Sequence, residues 1–119
     1  MYHKFREMKL KSALAVTSVI LLYATASLAA GDPVRGLSLY ATCGACHGQQ
    51  AEGMLALNAP ALNGLQPWYI IRQLKNFKEG IRGSNPKDTY GVQMAPMAQI
   101  LTDEQAMEDV TAYIQTLGE

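Results

Sequence analysis

The sequence is short of cysteine and histidine, the residues on which most metal, disulfide and nucleophilic sites depend. It holds two of each in 119 residues, and both cysteines fall in one short stretch. A framework of several disulfides is therefore excluded. His47 is the one histidine beyond the first thirty residues, which leaves none for a Ser/His/Asp triad if it has another task. Since phosphate-binding loops and paired carboxylates are also absent from the sequence, we expect no enzyme activity.

The first thirty residues differ in kind from the rest. Four basic residues precede an apolar run over 13–23, and small residues follow as far as Ala29 and Ala30. This order is typical of a signal peptide over 1–30, cleaved near Ala29 or Ala30, which would export a domain of residues 31–119 to the periplasm. A retained membrane anchor is the alternative, but the run is short and polar residues interrupt it.

Positive charge is scarce in that exported part. Residues 31–119 hold six basic and nine acidic residues, a formal charge of −3. An acidic domain without a Lys/Arg cluster argues against nucleic-acid binding. The expected partners are redox proteins met through transient docking, with the membrane involved only if the leader is retained. We expect a monomer or a weak dimer.

The central motif is Cys43-Gly44-Ala45-Cys46-His47. Cys-x-x-Cys-His is the attachment signature of a c-type haem, in which both thiols become thioethers and the histidine binds iron. A thioredoxin-like dithiol, half of a zinc site and a short disulfide are the alternatives. No convincing strand pattern and no second Cys/His pair accompany the motif, which favours one covalent haem c.

The rest of residues 31–119 predicts helices separated by loops. Asp32 caps a first helix that starts at Pro33 and runs into the haem motif, with an apolar stripe of Val34, Leu37, Tyr40 and Ala41. A second helix runs from Pro67 to Gly80 and buries Trp68, Ile71, Leu74 and Phe77. Thr102 and Gln105 predict a capping box for a last helix that ends at Gly118. Residues 48–64 and 81–100 are predicted to be irregular.

Two loop features bear on the haem. The carbonyl of Pro60 is a candidate acceptor for the Nδ1–H of His47, with an ordinary turn proline as the alternative. Met94 and Met97 lie in the second loop, where a thioether is the obvious second iron ligand because no further imidazole remains. The residue pattern does not choose between the two methionines.

Across residues 31–118 the chain resembles bacterial class I cytochromes c, and in particular the single-haem unit that periplasmic dihaem cytochromes carry twice. The matching segments, in order, are Gly31-Asp32-Pro33 with Gly36 and Tyr40, Cys43 to Gly48, Pro60-x-Leu62-x-Gly64, Tyr69 with Gln73-Leu74, Phe77-x-x-Gly80-x-Arg82, and Met94 through Leu101-Thr102-Asp103-Glu104 to Ala112-Tyr113-Ile114. The resemblance implies an all-α fold with three main helices and loops wrapped around one covalent haem.

The resemblance also assigns roles. It implies that Cys43 and Cys46 anchor the haem, that His47 is the proximal iron ligand, and that the Pro60 carbonyl accepts its hydrogen bond. It implies Met94 as the distal ligand, with Met97 as second choice. We therefore expect a periplasmic electron carrier of a respiratory chain. The alternatives are an electron-entry subunit of a larger dehydrogenase or oxidase complex and, less favoured, a ligand-binding haem protein.

Overall fold

The computed structural model describes residues 31–118, and the predicted signal peptide lies outside the described residues. Four α-helices follow one another in this part of the chain: α1 (Pro33–His47), α2 (Pro67–Lys78), α3 (Thr89–Gln99) and α4 (Glu104–Thr116). A 3₁₀ turn (Leu55–Leu57) lies between α1 and α2. Residues 31–118 contain an isolated bridge between Met54 and Ala59 but no named strand, so the predicted all-α fold is confirmed.

Helices α1 and α4 cross at close quarters. A Cβ atom on Gly36 would lie 2.0 Å from the carbonyl oxygen of Asp109, so only glycine permits this approach. The rings of Tyr40 and Tyr113 pack beside the crossing, with their centroids 5.3 Å apart and their planes tilted by 53°. Helix α2 packs against both α3 and α4. The core between the helices is formed by Tyr40, Ile70, Leu74, Phe77, Leu101, Met107, Val110 and Ile114.

A buried carboxylate joins the two crossing helices. Asp109 of α4 accepts hydrogen bonds from the backbone N–H of Asp32 (2.7 Å), the Nε of Arg35 (2.8 Å) and the amide of Gln105 (2.9 Å). Its neighbour Arg35 holds the pKa of the Asp109 carboxyl well below its usual range. Helix α1 begins as predicted, since Asp32 caps it by accepting from the N–H of Val34.

The prediction that 81–100 is irregular is wrong, because α3 occupies its second half. Asp88 caps this helix by accepting a hydrogen bond from the N–H of Gly91. The helix carries Pro96 in its interior and buries little beyond Gly91 and Ala98. Because the buried face is narrow and formed by small residues, the sequence shows no helical periodicity of large apolar residues here.

The cap predicted for the last helix is displaced by one residue. Asp103, not Thr102, is the N-cap of α4, because the Asp103 carboxylate accepts from the N–H of Ala106 at 2.8 Å. The last helical residue is Thr116 and Leu117 is the C-cap, so Gly118 directly follows the cap, as expected for a glycine that ends a helix.

Two predicted apolar faces are also partly wrong. Helix α1 buries Tyr40 but leaves Val34 and Leu37 exposed, because its contact face includes the glycines at 36 and 44. In α2 the buried residue of the first turns is Ile70, while Trp68 is 59% exposed and stands beside the guanidinium of Arg72. Among residues 31–118, we find no helix with the length and apolar character that a membrane span requires.

Candidate haem site

The last turns of α1 bring both cysteines and His47 to one end of the helix. Cys43 is half-buried, Cys46 is exposed, and both are free thiols. Because the two are separated by three positions in a continuous helix, their sulfur atoms lie on neighbouring turns of one side. A single planar group with two attachment points along one edge fits this spacing.

The imidazole of His47 is fixed by a backbone acceptor. Its Nδ1 lies 2.7 Å from the carbonyl oxygen of Pro60, and the side chain is buried. A carbonyl oxygen only accepts, so Nδ1 carries the proton and Nε2 keeps a lone pair. This is the tautomer in which a histidine binds a metal through Nε2, with a carbonyl that orients the ring.

The segment that supplies Pro60 is held against the end of α1. The N–H of Gly53 donates to the carbonyl of His47 at 2.7 Å, and the N–H of Leu62 donates to the carbonyl of Ala51 at 2.8 Å. Gly53 has a φ of +82°, and a Cβ atom there would lie 2.6 Å from the backbone nitrogen of Ala61. The absence of a side chain at position 53 thus lets the chain before and after Pro60 pass close to His47.

Sequence reasoning missed two contacts that hold this segment in place. The Tyr40 hydroxyl donates to the carbonyl of Gly48 at 2.7 Å and so ties the turn after His47 to the middle of α1. The second is the close approach of Gly53 to Ala61. The left-handed conformation of Gly53 depends on which segments meet in space, which no local pattern reports.

The two methionines lie on α3. Met94 is half-buried and packs against the core, whereas Met97 is 42% exposed. They are separated by three positions in the helix, so their thioethers lie on adjacent turns of one side. Packing therefore fixes the position of Met94 more firmly than that of Met97.

The Cys43 thiol does not have the character of a reactive redox cysteine. Burial raises the pKa of the Cys43 thiol, whereas the reactive cysteines of disulfide oxidoreductases have a lowered pKa. Among residues 31–118, no three His, Cys, Asp or Glu side chains cluster in a way that could hold a metal ion. The zinc and dithiol alternatives thus lack support, and the donor set of two thiols and an oriented imidazole fits haem c.

Comparison with known proteins agrees with this chemistry. The family model described as cytochrome c matches residues 33–118. A cytochrome c-554(547) from Halothiobacillus neapolitanus is 41% identical over 93 residues, which cover 74% of this chain and 99% of that protein. A cytochrome c4 from Thiocapsa roseopersicina is 39% identical over 87 residues, which cover 72% of this chain and 40% of that protein.

A third relative carries a partner in its name. The thiosulfate dehydrogenase electron acceptor of Stutzerimonas stutzeri (strain A1501) is 39% identical over 75 residues, which cover 63% of this chain and 31% of that protein. The chain thus spans less than half the length of this acceptor and of the cytochrome c4, but nearly all of the cytochrome c-554(547). By its match over residues 33–118, the chain belongs to the cytochrome c family, whose members transfer electrons by means of a covalently attached haem c.

Proposed function

We propose that this chain is a periplasmic electron carrier whose haem iron is bound by His47 and Met94. The observation that carries the proposal is the 2.7 Å contact between Nδ1 of His47 and the Pro60 carbonyl oxygen. It fixes the ring in the tautomer with Nε2 free to bind.

Each residue of the site has one task in this proposal. Cys43 and Cys46 hold the haem through thioether bonds, and His47 supplies the nitrogen ligand. Met94 supplies the sulfur ligand, which favours a higher reduction potential than two nitrogens would. The bound haem supplies one-electron chemistry between ferric and ferrous iron. Were the iron bound by both His47 and Met94, substrate binding at the metal would be disfavoured.

The preference for Met94 over Met97 has support in packing. Met94 is half-buried against the core, and its helix is capped by Asp88. A ligand held in one position in both oxidation states lowers the structural change that accompanies electron transfer. The exposed Met97 lacks that restraint.

The periplasm is proposed from the leader. Residues 1–30 have the basic start, apolar run and small-residue end of a signal peptide, with cleavage near Ala29 or Ala30. Covalent attachment of haem to cysteines suits an exported protein. A respiratory chain is the proposed setting.

Redox proteins are the proposed partners, and they would dock transiently at a small interface. The relative named as an electron acceptor of thiosulfate dehydrogenase supports a dehydrogenase as the electron donor. The name of that relative also fits a second candidate, an electron-entry subunit held in a larger dehydrogenase complex. Purification at physiological ionic strength separates the two, because salt releases a transient, charge-steered partner but not a stable subunit.

A redox titration of the exported holoprotein, followed by exposure of its ferrous form to carbon monoxide, tests the proposal. We expect a reversible one-electron transition, a far-red sulfur-to-ferric charge-transfer band, and a ferrous spectrum that carbon monoxide leaves unchanged at neutral pH. A ferrous form that binds carbon monoxide readily would instead indicate a ligand-binding haem protein.

A further inference from the structure

The turn after α2 lies directly against the helix that carries Met94. Gly83 in this turn has a φ of +74°, and a Cβ atom there would lie 2.3 Å from the carbonyl oxygen of Gly91. It would also lie 2.8 Å from the Cβ atom of Ala95. Both contact points flank Met94 on α3. No side chain fits at position 83 unless the turn or the helix moves.

The turn that contains Gly83 is firmly anchored to α2. The N–H groups of Ile81 and Arg82 both donate to the carbonyl of Asn76, at 2.9 and 3.0 Å. The Arg82 guanidinium lies 4.4 Å from the centre of the Phe77 ring and donates to the side-chain oxygen of Gln73 at 2.7 Å. These contacts tie the turn to α2 on two sides, so a collision at Gly83 displaces α3.

The far end of α3 is held by the same end of α2. The Lys78 ammonium donates to the carbonyl of Leu101, and the Gln99 amide donates to the carbonyl of Lys78 at 3.2 Å. Helix α3 is therefore fixed beyond its C-terminal end and rests on Gly83 nearer its start. A push at Gly83 would tilt the segment that contains Met94 about the fixed end.

We propose that Gly83 is a positioning residue for the distal ligand: its missing side chain sets how closely α3 approaches α2, and hence where the Met94 sulfur lies. The inference rests on the proposed function, in which Met94 binds the iron. Gly83 itself touches no reacting atom.

The test compares Gly83→Ala with Gly80→Ala in the exported holoprotein. Gly80 has a nearly identical φ of +71° but no atom within 4 Å of a Cβ built there, so it carries the same backbone strain without the collision. We expect Gly83→Ala to lose the far-red charge-transfer band and to bind added imidazole in the ferric state. We expect Gly80→Ala to behave as the unsubstituted protein does. An unchanged Gly83→Ala spectrum, or equal losses in both variants, would overturn the proposal.

A second variant approaches the same contact from the helix. Ala95→Val adds bulk opposite Gly83 with no left-handed residue involved, and we expect it to weaken the band and admit imidazole as Gly83→Ala does. If Gly83→Ala yields no folded holoprotein, Ala95→Val alone decides, and an unchanged spectrum refutes the positioning role.

Met94→Leu distinguishes a failure of this inference from a failure of the proposed function on which it rests. If Met94→Leu keeps the band, the ligand assignment itself fails. If Met94→Leu abolishes the band while Gly83→Ala and Ala95→Val leave it intact, the positioning role alone is refuted.

Discussion

The hydroxyl of Tyr40 donates a hydrogen bond of 2.7 Å to the carbonyl oxygen of Gly48, the residue that follows His47. The same ring packs against Tyr113 of α4. One side chain thus links the crossing of the two terminal helices to the turn that follows the haem-binding histidine. The geometry of the site depends in this way on the packing of α1 against α4.

Removal of that hydroxyl should destabilise the protein. Tyr40→Phe removes the hydroxyl donor from the Gly48 carbonyl, which keeps only the N–H of Ala51 at 3.2 Å. We expect a loss of about 1 kcal/mol in the free energy of unfolding. Chemical denaturation of the holoprotein measures it. Tyr113→Phe is the matched control, because the Tyr113 hydroxyl makes no hydrogen bond within residues 31–118. Equal losses in both variants would show that the hydrogen bond from Tyr40 does not contribute to the free energy of unfolding.

The raised pKa of Tyr40 predicts a loss of stability at alkaline pH. Burial raises the pKa of Tyr40 to about 12, above the value of about 10 for an unfolded tyrosine. The folded state thus favours the neutral phenol, and its stabilising contribution is complete below about pH 10 and lost as the pH rises toward 12. We expect denaturation curves of the unsubstituted protein to show this decline, and those of Tyr40→Phe to show a smaller one. Identical slopes would contradict the assignment.

The lowered pKa of Asp109 predicts a loss of stability at acidic pH. Hydrogen bonding to Arg35 lowers the pKa of this buried carboxyl in the folded state. Its contribution is therefore complete above an unfolded pKa of about 4 and is lost as the pH falls below it. We expect Asp109→Asn to lower the free energy of unfolding by about 1 to 2 kcal/mol at neutral pH. The loss stays modest because solvent screens the exposed Arg35.

The difference between Asp109→Asn and the unsubstituted protein should shrink below about pH 4. Urea denaturation at a series of pH values measures this. Glu108→Gln serves as control, because the Glu108 side chain makes no hydrogen bond or ion pair in the part of the chain that the structure describes. A gap that stays constant down to low pH would show that the charge of Asp109 contributes nothing.

Replacement of each methionine in turn by leucine tests which of them binds the iron. We expect Met94→Leu to lower the reduction potential, to remove the far-red band and to open the iron to added ligands, because a hydrocarbon side chain cannot coordinate. Met97→Leu should change none of these, since its side chain is the more exposed of the two. Potentiometry and absorption spectra of both holoproteins measure the effects. If the two outcomes are exchanged, Met97 is the ligand.

Local chemistry explains which parts of the fold could be predicted. The start of α1 needs only Asp32 to accept and Pro33 to fit the first turn, and both act within a few residues. Gly80 after α2 lies in the left-handed region, as its place after the last helical turn predicts. The haem motif is likewise a local pattern.

The failed predictions for the buried face of α1 and for α3 share one physical cause, which is contact through small residues. Helix α1 packs on α4 through Gly36, and α3 presents Gly91 and Ala98 to its neighbours. Such residues permit close approach but add nothing to an apolar period, so the pattern pointed instead to Val34 as buried. The close contacts of Gly53 and Gly83 could not be predicted either, because they are made with segments distant in the sequence.

The central claim is that one haem is bonded to Cys43 and Cys46 of the exported chain. The most direct measurement is the intact mass of the protein, together with its absorption spectrum, after export from a host competent in cytochrome c maturation. We predict a coloured product whose mass exceeds that of residues 31–119 by one haem. A colourless product with the mass of the unmodified polypeptide would contradict the account.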